Sequence, residues 1–342
     1  MNKNEQPNSV TAQGLLKRNE GWQIWELGLW IAAVAAIFVL PSHMLILTEI
    51  AILAIFAISL DLILGYAGIV SLGHTAFFGV GAYVAGILAR DYTGEPVTGL
   101  LVAGIVSGIF GFLSSFLVLR GSDLTRLMTT FGVAMLLAEV ANQAAWLTGG
   151  ADGLSGVMMS PILGMFEFDL WGRTGYIYVL IVLIVLAFIA RRIVNSPYGL
   201  SLKAIKRNSR RASMLGISPT RRIVVNYTIA AVYAGMAGAL LTQTTSFVSP
   251  DVLAFHRSAD VLLVLVIGGT GYLYGGVFGA IIFTLLRDWL SVITPQYWMF
   301  WIGLILIAIV MIGRERIAGW RRYLPGSRKQ QKSPKLAVEE AP

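Results

Sequence analysis

The chain has no cysteine, which excludes a disulfide framework, a thiolate metal site and a cysteine nucleophile. Charge is scarce: Asp, Glu, Lys and Arg make up 13% of 342 residues, where soluble domains carry roughly 25%. Nowhere does the sequence contain the G-x-x-x-x-G-K-[ST] loop that cradles nucleotide phosphates, so this chain lacks that engine for hydrolysis. The first 26 residues hold Lys3, Lys17 and Arg18 without a cleavable signal pattern, and the first apolar stretch is expected to act as an uncleaved insertion signal. What is abundant is apolar surface. Hydrophobic residues are 56% of the chain and mean hydropathy is +0.73, the composition of an all-α, polytopic membrane protein.

A bilayer core of about 30 Å needs roughly 20 helical residues. Ten candidate transmembrane or re-entrant helices follow, at 27–41, 44–64, 66–89, 97–119, 127–147, 176–194, 223–245, 259–273, 275–293 and 297–313. The third, fifth, eighth and ninth are interrupted by glycine or polar side chains and read equally well as broken helices. With both termini cytoplasmic, 22 of the 26 lysines and arginines fall in inside segments, and only Arg90, Arg173, Arg257 and Arg287 lie outside. The positive-inside rule therefore favours this orientation. It also accounts for the net charge of +8 without nucleic acid as a partner.

Residues 1–26 then form a polar cytoplasmic segment, 27–313 the membrane domain, and 314–342 a basic, disordered cytoplasmic tail. Two connections inside the membrane domain are long. Residues 148–175 begin T-G-G-A-D-G-L-S-G-V, and four glycines in ten residues suit either a structured extracytoplasmic cap or a flexible connector. Residues 195–222 carry a basic cytoplasmic loop. Ser196 and Pro197 suit a helix start, and Leu202, Ile205 and Ala212 share one side with Lys203, Lys206, Arg207 and Arg210 turned away. That helix is expected to end near Gly216 in a left-handed turn, with Ser218-Pro219 opening the next one. Two readings stand for it: a lever that receives motion from a soluble motor, or a basic anchor on anionic lipid.

The densest motif is Gly65 to Tyr83, G-Y-A-G-I-V-S-L-G-H-T-A-F-F-G-V-G-A-Y. Hydrocarbon offers no hydrogen bonds to an irregular backbone or an imidazole, so the segment must face protein or water. Gly65, Gly68 and Gly73 beside Ser71, His74 and Thr75 suit a broken helix that exposes amide dipoles to a polar solute. His74 reads more readily as a hydrogen-bonded helix-packing residue than as a substrate or proton ligand. His43 and His256 fall at extracytoplasmic span ends, so no metal site is expected, and Ser71 with His74 does not make a catalytic triad. Gly104-x-x-x-Gly108 and Gly275-x-x-x-Gly279 read as helix-packing faces. Among the acids in or near spans, Glu49, Asp61, Glu139 and Asp260, Asp61 is expected near the cytoplasmic interface, where water can solvate it. Glu139 forms a polar stripe with Asn142 and Gln143.

Gly65 to Tyr83 resembles a signature of the permease subunits of branched-chain amino acid ABC importers, specifically the M-type partner, with Thr75 in place of an alanine. Thr148 to Val157, Phe247 to Asp251 (F-V-S-P-D) and Val266 to Ala280 (V-I-G-G-T-G-Y-L-Y-G-G-V-F-G-A) are similar to later signatures in the same order, and the likeness runs from about residue 45 to 315. Tyr272 and Gly276 depart from it, standing where a small hydroxyl residue and a proline are usual.

The resemblance implies a non-catalytic translocation subunit in a bacterial inner membrane, importing branched-chain amino acids by alternating access. Urea, short amides and aromatic acids are alternative cargoes, and an ion-coupled secondary transporter is the rival class. It implies partners on other chains: a second, similar permease, two ATP-binding subunits that hold ATP and Mg, an extracytoplasmic solute-binding protein, and membrane lipid. Tyr66, Ser71, His74, Thr75 and Glu139 are then the expected route, Glu139 serving alternatively to bond the partner permease. Lys203, Lys206, Arg207, Arg210, Ala212 and Gly216 are the expected coupling residues. Gly65, Gly68, Gly73, Gly268, Gly269 and Gly271 are the expected helix breaks. No cofactor is expected on this chain.

Overall fold

A computed structural model describes residues 24–169 and 171–312. The tail at 314–342 and all but the last three residues of the 1–26 segment lie outside the described residues. The described chain is helical throughout, with two isolated antiparallel bridges and no named strand. In order, the helices are α1 (Ile24–Val39), α2 (Met44–Asp61), α3 (Thr75–Asp91), α4 (Pro96–Val118), α5 (Asp123–Gln143), the single turn α6 (Ala145–Thr148), α7 (Arg173–Asn195), α8 (Pro197–Arg207), α9 (Ser209–Met214), α10 (Pro219–Thr245), α11 (Phe255–Gly268), α12 (Gly275–Ile293) and α13 (Trp298–Ile312). The chain divides into two compact units at Asp288 and Trp289. The second contains the apolar, 15-residue α13.

Among the described residues, six stretches are long and apolar enough to cross a membrane: Pro41–Ala67, α4, α5, α7, α10 and α12. The remaining apolar helices α1, α3, α11 and α13 have 16, 17, 14 and 15 residues. At 1.5 Å per residue they fall short of a hydrocarbon core of about 30 Å. The third candidate span therefore begins at Thr75, not at residue 66, because residues 68–74 are non-helical, and the eighth stops at Gly268, not at 273. The ninth candidate is instead a continuous helix, whereas the fifth runs unbroken only to Gln143, breaks at Ala144 and resumes as the single turn α6.

Helix starts follow local chemistry. Pro96 sits in the first turn of α4, and the Glu95 carboxylate caps it by accepting from Thr98 N at 2.8 Å. Ser218 and Pro219 open α10 in the same way, without the side-chain bond.

The centre of the bundle is α10, in which Ala230, Ala231, Ala234, Gly235, Ala237, Gly238 and Ala239 are all buried. Such a small-residue surface lets other backbones approach closely, and packing then replaces the hydrophobic effect that lipid cannot supply. A Cβ on Gly81 of α3 would strike the Gly235 backbone, and one on Gly238 would strike Phe78. Gly104 and Gly108 of α4 rest on Met236 and Val232. Polar side chains finish the core on main-chain carbonyls: Gln243 Nε2 donates to Pro96 O at 2.7 Å and Tyr233 Oη to Leu186 O at 2.9 Å.

The glycine-rich start of 148–175 is folded. Thr148 Oγ1 donates to the carbonyl of Ala144 at 2.9 Å, Gly149, Gly150 and Gly153 take positive φ, and Leu154 pairs with Val248 through two main-chain bonds of 2.9 and 3.1 Å. Leu154 is buried.

Candidate translocation site and coupling segment

α2 does not end at Asp61 but loosens into a π-helical turn over Leu62–Ala67, closed by Gly68 at φ +77°. A wide turn frees main-chain carbonyls, and side chains from distant elements take them up. Asn226 Nδ2 donates to Leu62 O at 2.6 Å, and Lys206 Nζ donates to Gly65 O at 2.6 Å. The Asp61 carboxylate, expected in water at the interface, is wholly buried and accepts from Gly271 N at 2.7 Å. Its Oδ1 fills the space beside Gly65 where a Cβ would stand. The second glycine break thus docks on the first: α11 stops at Gly268, and Gly269 and Gly271 turn the chain back at φ +101° and +78°. Tyr66 is buried, and the Lys203 ammonium lies 5.3 Å from its ring centroid, a cation–π geometry.

Residues 68–74 lead to a second buried cluster. His74 is fully enclosed, stacked on Phe56 at 5.7 Å between centroids and met edge-on by Phe77. The Ser59 hydroxyl donates to Phe56 O at 2.6 Å, so its oxygen is left to accept from His74 Nε2 at 2.8 Å. That assigns the proton to Nε2 and leaves Nδ1 as a buried acceptor without a hydrogen-bond partner among the described residues. Thr75 Oγ1 lies 3.0 Å from Ser258 Oγ, which also accepts from Thr75 N. The Ser71 hydroxyl is buried and has no hydrogen-bond partner among the described residues. A pair of orphaned polar atoms here is costly in a dry packed core and suited to a site that exchanges partners.

The basic loop departs from the expected single helix. Asn208 is extended, and its Oδ1 accepts from Arg211 N at 3.0 Å, so its side chain ends α8 and caps α9. Leu202, Ile205 and Ala212 are buried, and Gly216 takes φ +81°. Gly216 N bonds Ser213 O and Ile217 N bonds Ala212 O, a Schellman-type ending. Of the four cations expected to turn away, Arg207 and Arg210 do, Lys206 is exposed although its Nζ finds a carbonyl, and Lys203 is half-buried. Lys203 and Lys206 reach back to the π turn, because a long stem can lie along apolar surface while its head finds a carbonyl or a ring face. Burial pulls the Lys203 ammonium below its ordinary pKa. Tyr198, on the same helix, is pushed up to about 12 by burial, partly offset by Arg222, to whose carbonyl its hydroxyl donates at 2.8 Å.

Most of the sequence-derived site residues converge. Gly65, Tyr66 and Gly68 meet Lys203, Lys206 and Gly271, while Gly73, His74 and Thr75 meet α2, α5 and α11. Glu139 stands apart: it is exposed on α5, where Gln143 Nε2 donates to it at 2.8 Å. Asn226, Ser59 and Ser258 were missed. Their signal was a lone polar residue in an apolar run, which does not announce its partner. Other charges cluster at the opposite end of the bundle from Lys206: Arg287 pairs with Glu49 at 2.5 Å, and Asp251 pairs with His256 and Arg257. No group of three or more His, Asp or Glu placed to hold a metal occurs among the described residues.

The family described as "Branched-chain amino acid transport system / permease component" matches residues 43–310. The high-affinity branched-chain amino acid transport system permease protein LivM of Salmonella typhimurium is 28% identical, over 91% of this chain and 76% of its own. The ribose import permease protein RbsC of Bacillus subtilis is 26% identical, over 85% of this chain and 92% of its own. The high-affinity branched-chain amino acid transport system permease protein LivH of Salmonella typhimurium is 22% identical, over 67% of this chain and 78% of its own. No solved structure matches.

Proposed function

The chain belongs to the branched-chain amino acid transport permease family, and from that premise we propose that it is the M-type membrane subunit of an ATP-driven importer of branched-chain amino acids. The single observation that carries the mechanism is the tie between the basic α8 and the broken segment: Lys206 on Gly65 O, Lys203 on the Tyr66 ring, and Asp61 on Gly271. A push on α8 and α9 is transmitted directly to both helix breaks, where the backbone can yield at low cost. ATP and Mg bind on separate chains that dock against the solvent-facing Arg207, Arg210 and Gly216. A second permease covers α5, and a solute-binding protein delivers cargo to the face that carries Leu154 and Val248.

The contact pattern supports the orientation read from basic residues. Residues assigned inside meet one another, as Glu26 meets Arg191 and Lys206 meets Gly65. Residues assigned outside do likewise, as Leu154 meets Val248. In this reading the termini are cytoplasmic, ten helices enter or cross the inner membrane, and covalent catalysis is absent.

A second reading concerns cargo alone. A relative named as a ribose permease covers 85% of the chain, so the same machine can carry a different small solute. The deciding experiment co-expresses the chain with its candidate partners, reconstitutes the purified assembly with its binding protein, and offers labelled leucine, urea, benzoate and ribose. Leucine uptake that requires ATP confirms the proposal. Glu139→Gln is expected to leave that uptake largely intact, whereas an ion-coupled carrier would stop; uphill accumulation by this subunit alone would refute the assignment.

A further inference from the structure

Small residues that bring backbones together on α10 leave a gap elsewhere in the bundle. Ala32 and Ala36 of α1 and Ala51 and Ala54 of α2 line an open slot that α7 and α12 complete, with a volume of about 500 Å³, within the range of built ligand sites. Among the described residues of its lining, only Trp30 and Tyr176 carry a polar side-chain atom. The Tyr176 hydroxyl is engaged already, donating to Ala33 O at 2.9 Å. The slot thus suits hydrocarbon, and its walls forfeit dispersion contacts until something fills it. Its lining runs from Leu29 to Leu40, about 17 Å at 1.5 Å per residue. That is close to one leaflet of a hydrocarbon core about 30 Å thick. Spread over that length, the volume gives a section of about 30 Å². An extended acyl chain fits such a section; an α-helix, about 10 Å across, does not.

A second cavity, of about 530 Å³, continues the same walls toward the outer face. Pro41 follows Leu40, Met44 stands three residues before Leu47, and Arg173 three before Tyr176. Met44 and Tyr176 belong to one buried cluster with Leu180, so the two cavities share a floor. The lining here changes character. It adds Ser42, Asp169, Trp171 and Arg173, a tryptophan among polar groups, as at the level of lipid headgroups. Asp169 and Arg173 share this cavity, both exposed, and neither forms an ion pair among the described residues. The Asp169 carboxylate accepts from Thr174 N at 2.9 Å through Oδ1.

We propose that the two cavities form one binding site for an outer-leaflet phospholipid with a zwitterionic, ethanolamine-type headgroup. One acyl chain fills the slot, the phosphate lies by Arg173 and the ammonium by Asp169. Shape carries most of the argument: the slot has the length of a leaflet, the width of one chain and an apolar lining. The charges, open to water, set only a preference among headgroups. An anionic glycerol headgroup satisfies Arg173 and leaves Asp169 beside a phosphate, whereas an ethanolamine headgroup meets both signs. The bound chain completes the wall between α1 and its neighbours, so the site is structural and separate from the route of the cargo.

The inference rests on the membrane orientation of the permease reading and not on its cargo. The full-length chain, purified with its partners in mild detergent and washed of loose lipid, is reloaded with phosphatidylethanolamine, phosphatidylglycerol or diacylglycerol of identical acyl chains and weighed by native mass spectrometry. The wild type is expected to retain one phosphatidylethanolamine, to prefer it over phosphatidylglycerol by up to about fivefold, and to lose diacylglycerol on washing. Ala36→Phe, and Ala32→Phe one turn away, fill the slot and are expected to abolish retention. Ala35→Phe, on the same helix but outside the lining, is expected to keep it, so misfolding cannot imitate the pattern. Asp169→Asn, which preserves the bond to Thr174 N, is expected to erase the headgroup preference, and Arg173→Gln to weaken retention of both phospholipids. Retention that survives both slot variants, or that falls equally with Ala35→Phe, overturns the site, as does diacylglycerol held as well as phosphatidylethanolamine. An assembly that imports leucine without any retained lipid keeps the proposed function and loses the site; one that retains the lipid but imports only ribose keeps the site and loses the proposed cargo.

Discussion

The Lys206 ammonium donates to the carbonyl of Gly65 at 2.6 Å, joining residues 141 positions apart in sequence. The carbonyl is available because the π turn releases it from the helical ladder, and the ammonium reaches it because α8 lies under that turn. Gly68 packs against the same lysine stem, where a Cβ would come within 2.8 Å of Lys206 Cγ.

Lys206→Met keeps the stem and removes the charge, so it isolates the hydrogen bond. A bond to a charged donor is worth about 1.5–3 kcal/mol. If it carries force, ATP-driven uptake falls about tenfold while ATP hydrolysis by the assembly continues, and transported solute per ATP is the measurement that checks it. Arg207→Gln points to solvent in the isolated chain and is expected to weaken ATPase association instead, read by co-purification. Equal effects of the two changes on both assays would show that α8 is only a basic anchor.

Gly73 and Gly132 predict opposite outcomes for the same substitution. A Cβ on Gly73 would run into the Thr130 carbonyl, whereas Gly132, inside α5, has nothing within 4 Å. Gly73→Ala should therefore destabilise the purified chain by about 1–3 kcal/mol through overpacking. Gly132→Ala should be neutral, or stabilising by up to about 1 kcal/mol through helix propensity. Thermal melts in detergent distinguish them, and a Gly73→Ala melt at or above wild type would mean that the broken segment does not rest on α5.

Much of this architecture was readable beforehand, for definite reasons. Apolar length located the helices, and the breaks at Gly68 and after Gly268 were visible because glycines sat beside polar side chains in an otherwise oily run. Partner identity was not readable. Asp61 looked like an interfacial acid, because nothing local shows that Gly271, 210 positions away, turns its N–H toward it. Lys203 and Lys206 looked solvent-facing, because periodicity separates apolar from polar faces but says nothing of a carbonyl released by a π turn. The halt at Asn208 followed from a side-chain cap that competes with helix continuation, a local effect weaker than the apolar pattern running across it.

Glu26 and Arg191 offer a clean thermodynamic cycle. They pair as a buried salt bridge between α1 and α7, with Arg191 also 3.4 Å from the Tyr274 hydroxyl. Removing one member of a buried pair leaves the other uncompensated, at about 3–5 kcal/mol. Glu26→Leu and Arg191→Leu are each expected to lower the melting temperature sharply, and the double variant to recover most of the loss. Additive losses in the double variant would show that the two charges are solvated separately.

The α5 face that carries Glu139, Asn142 and Gln143 cannot meet hydrocarbon. Only 17% of the apolar window of α5 is buried within the chain, against 78% for Pro41–Ala67, and all three polar side chains are exposed. A carboxylate at that position costs several kcal/mol unless protein or water receives it, so a second permease is expected to cover the stripe. The absence of native cysteine makes the test direct. Gln143→Cys keeps Glu139 in place and provides a single thiol for a membrane-permeant maleimide. In the isolated subunit the thiol should react readily; in the complete assembly it should be shielded, with labelling slowed about tenfold or more as contact buries it. Equal labelling in both preparations would place α5 against lipid or water, and the subunit interface would have to be sought on another helix.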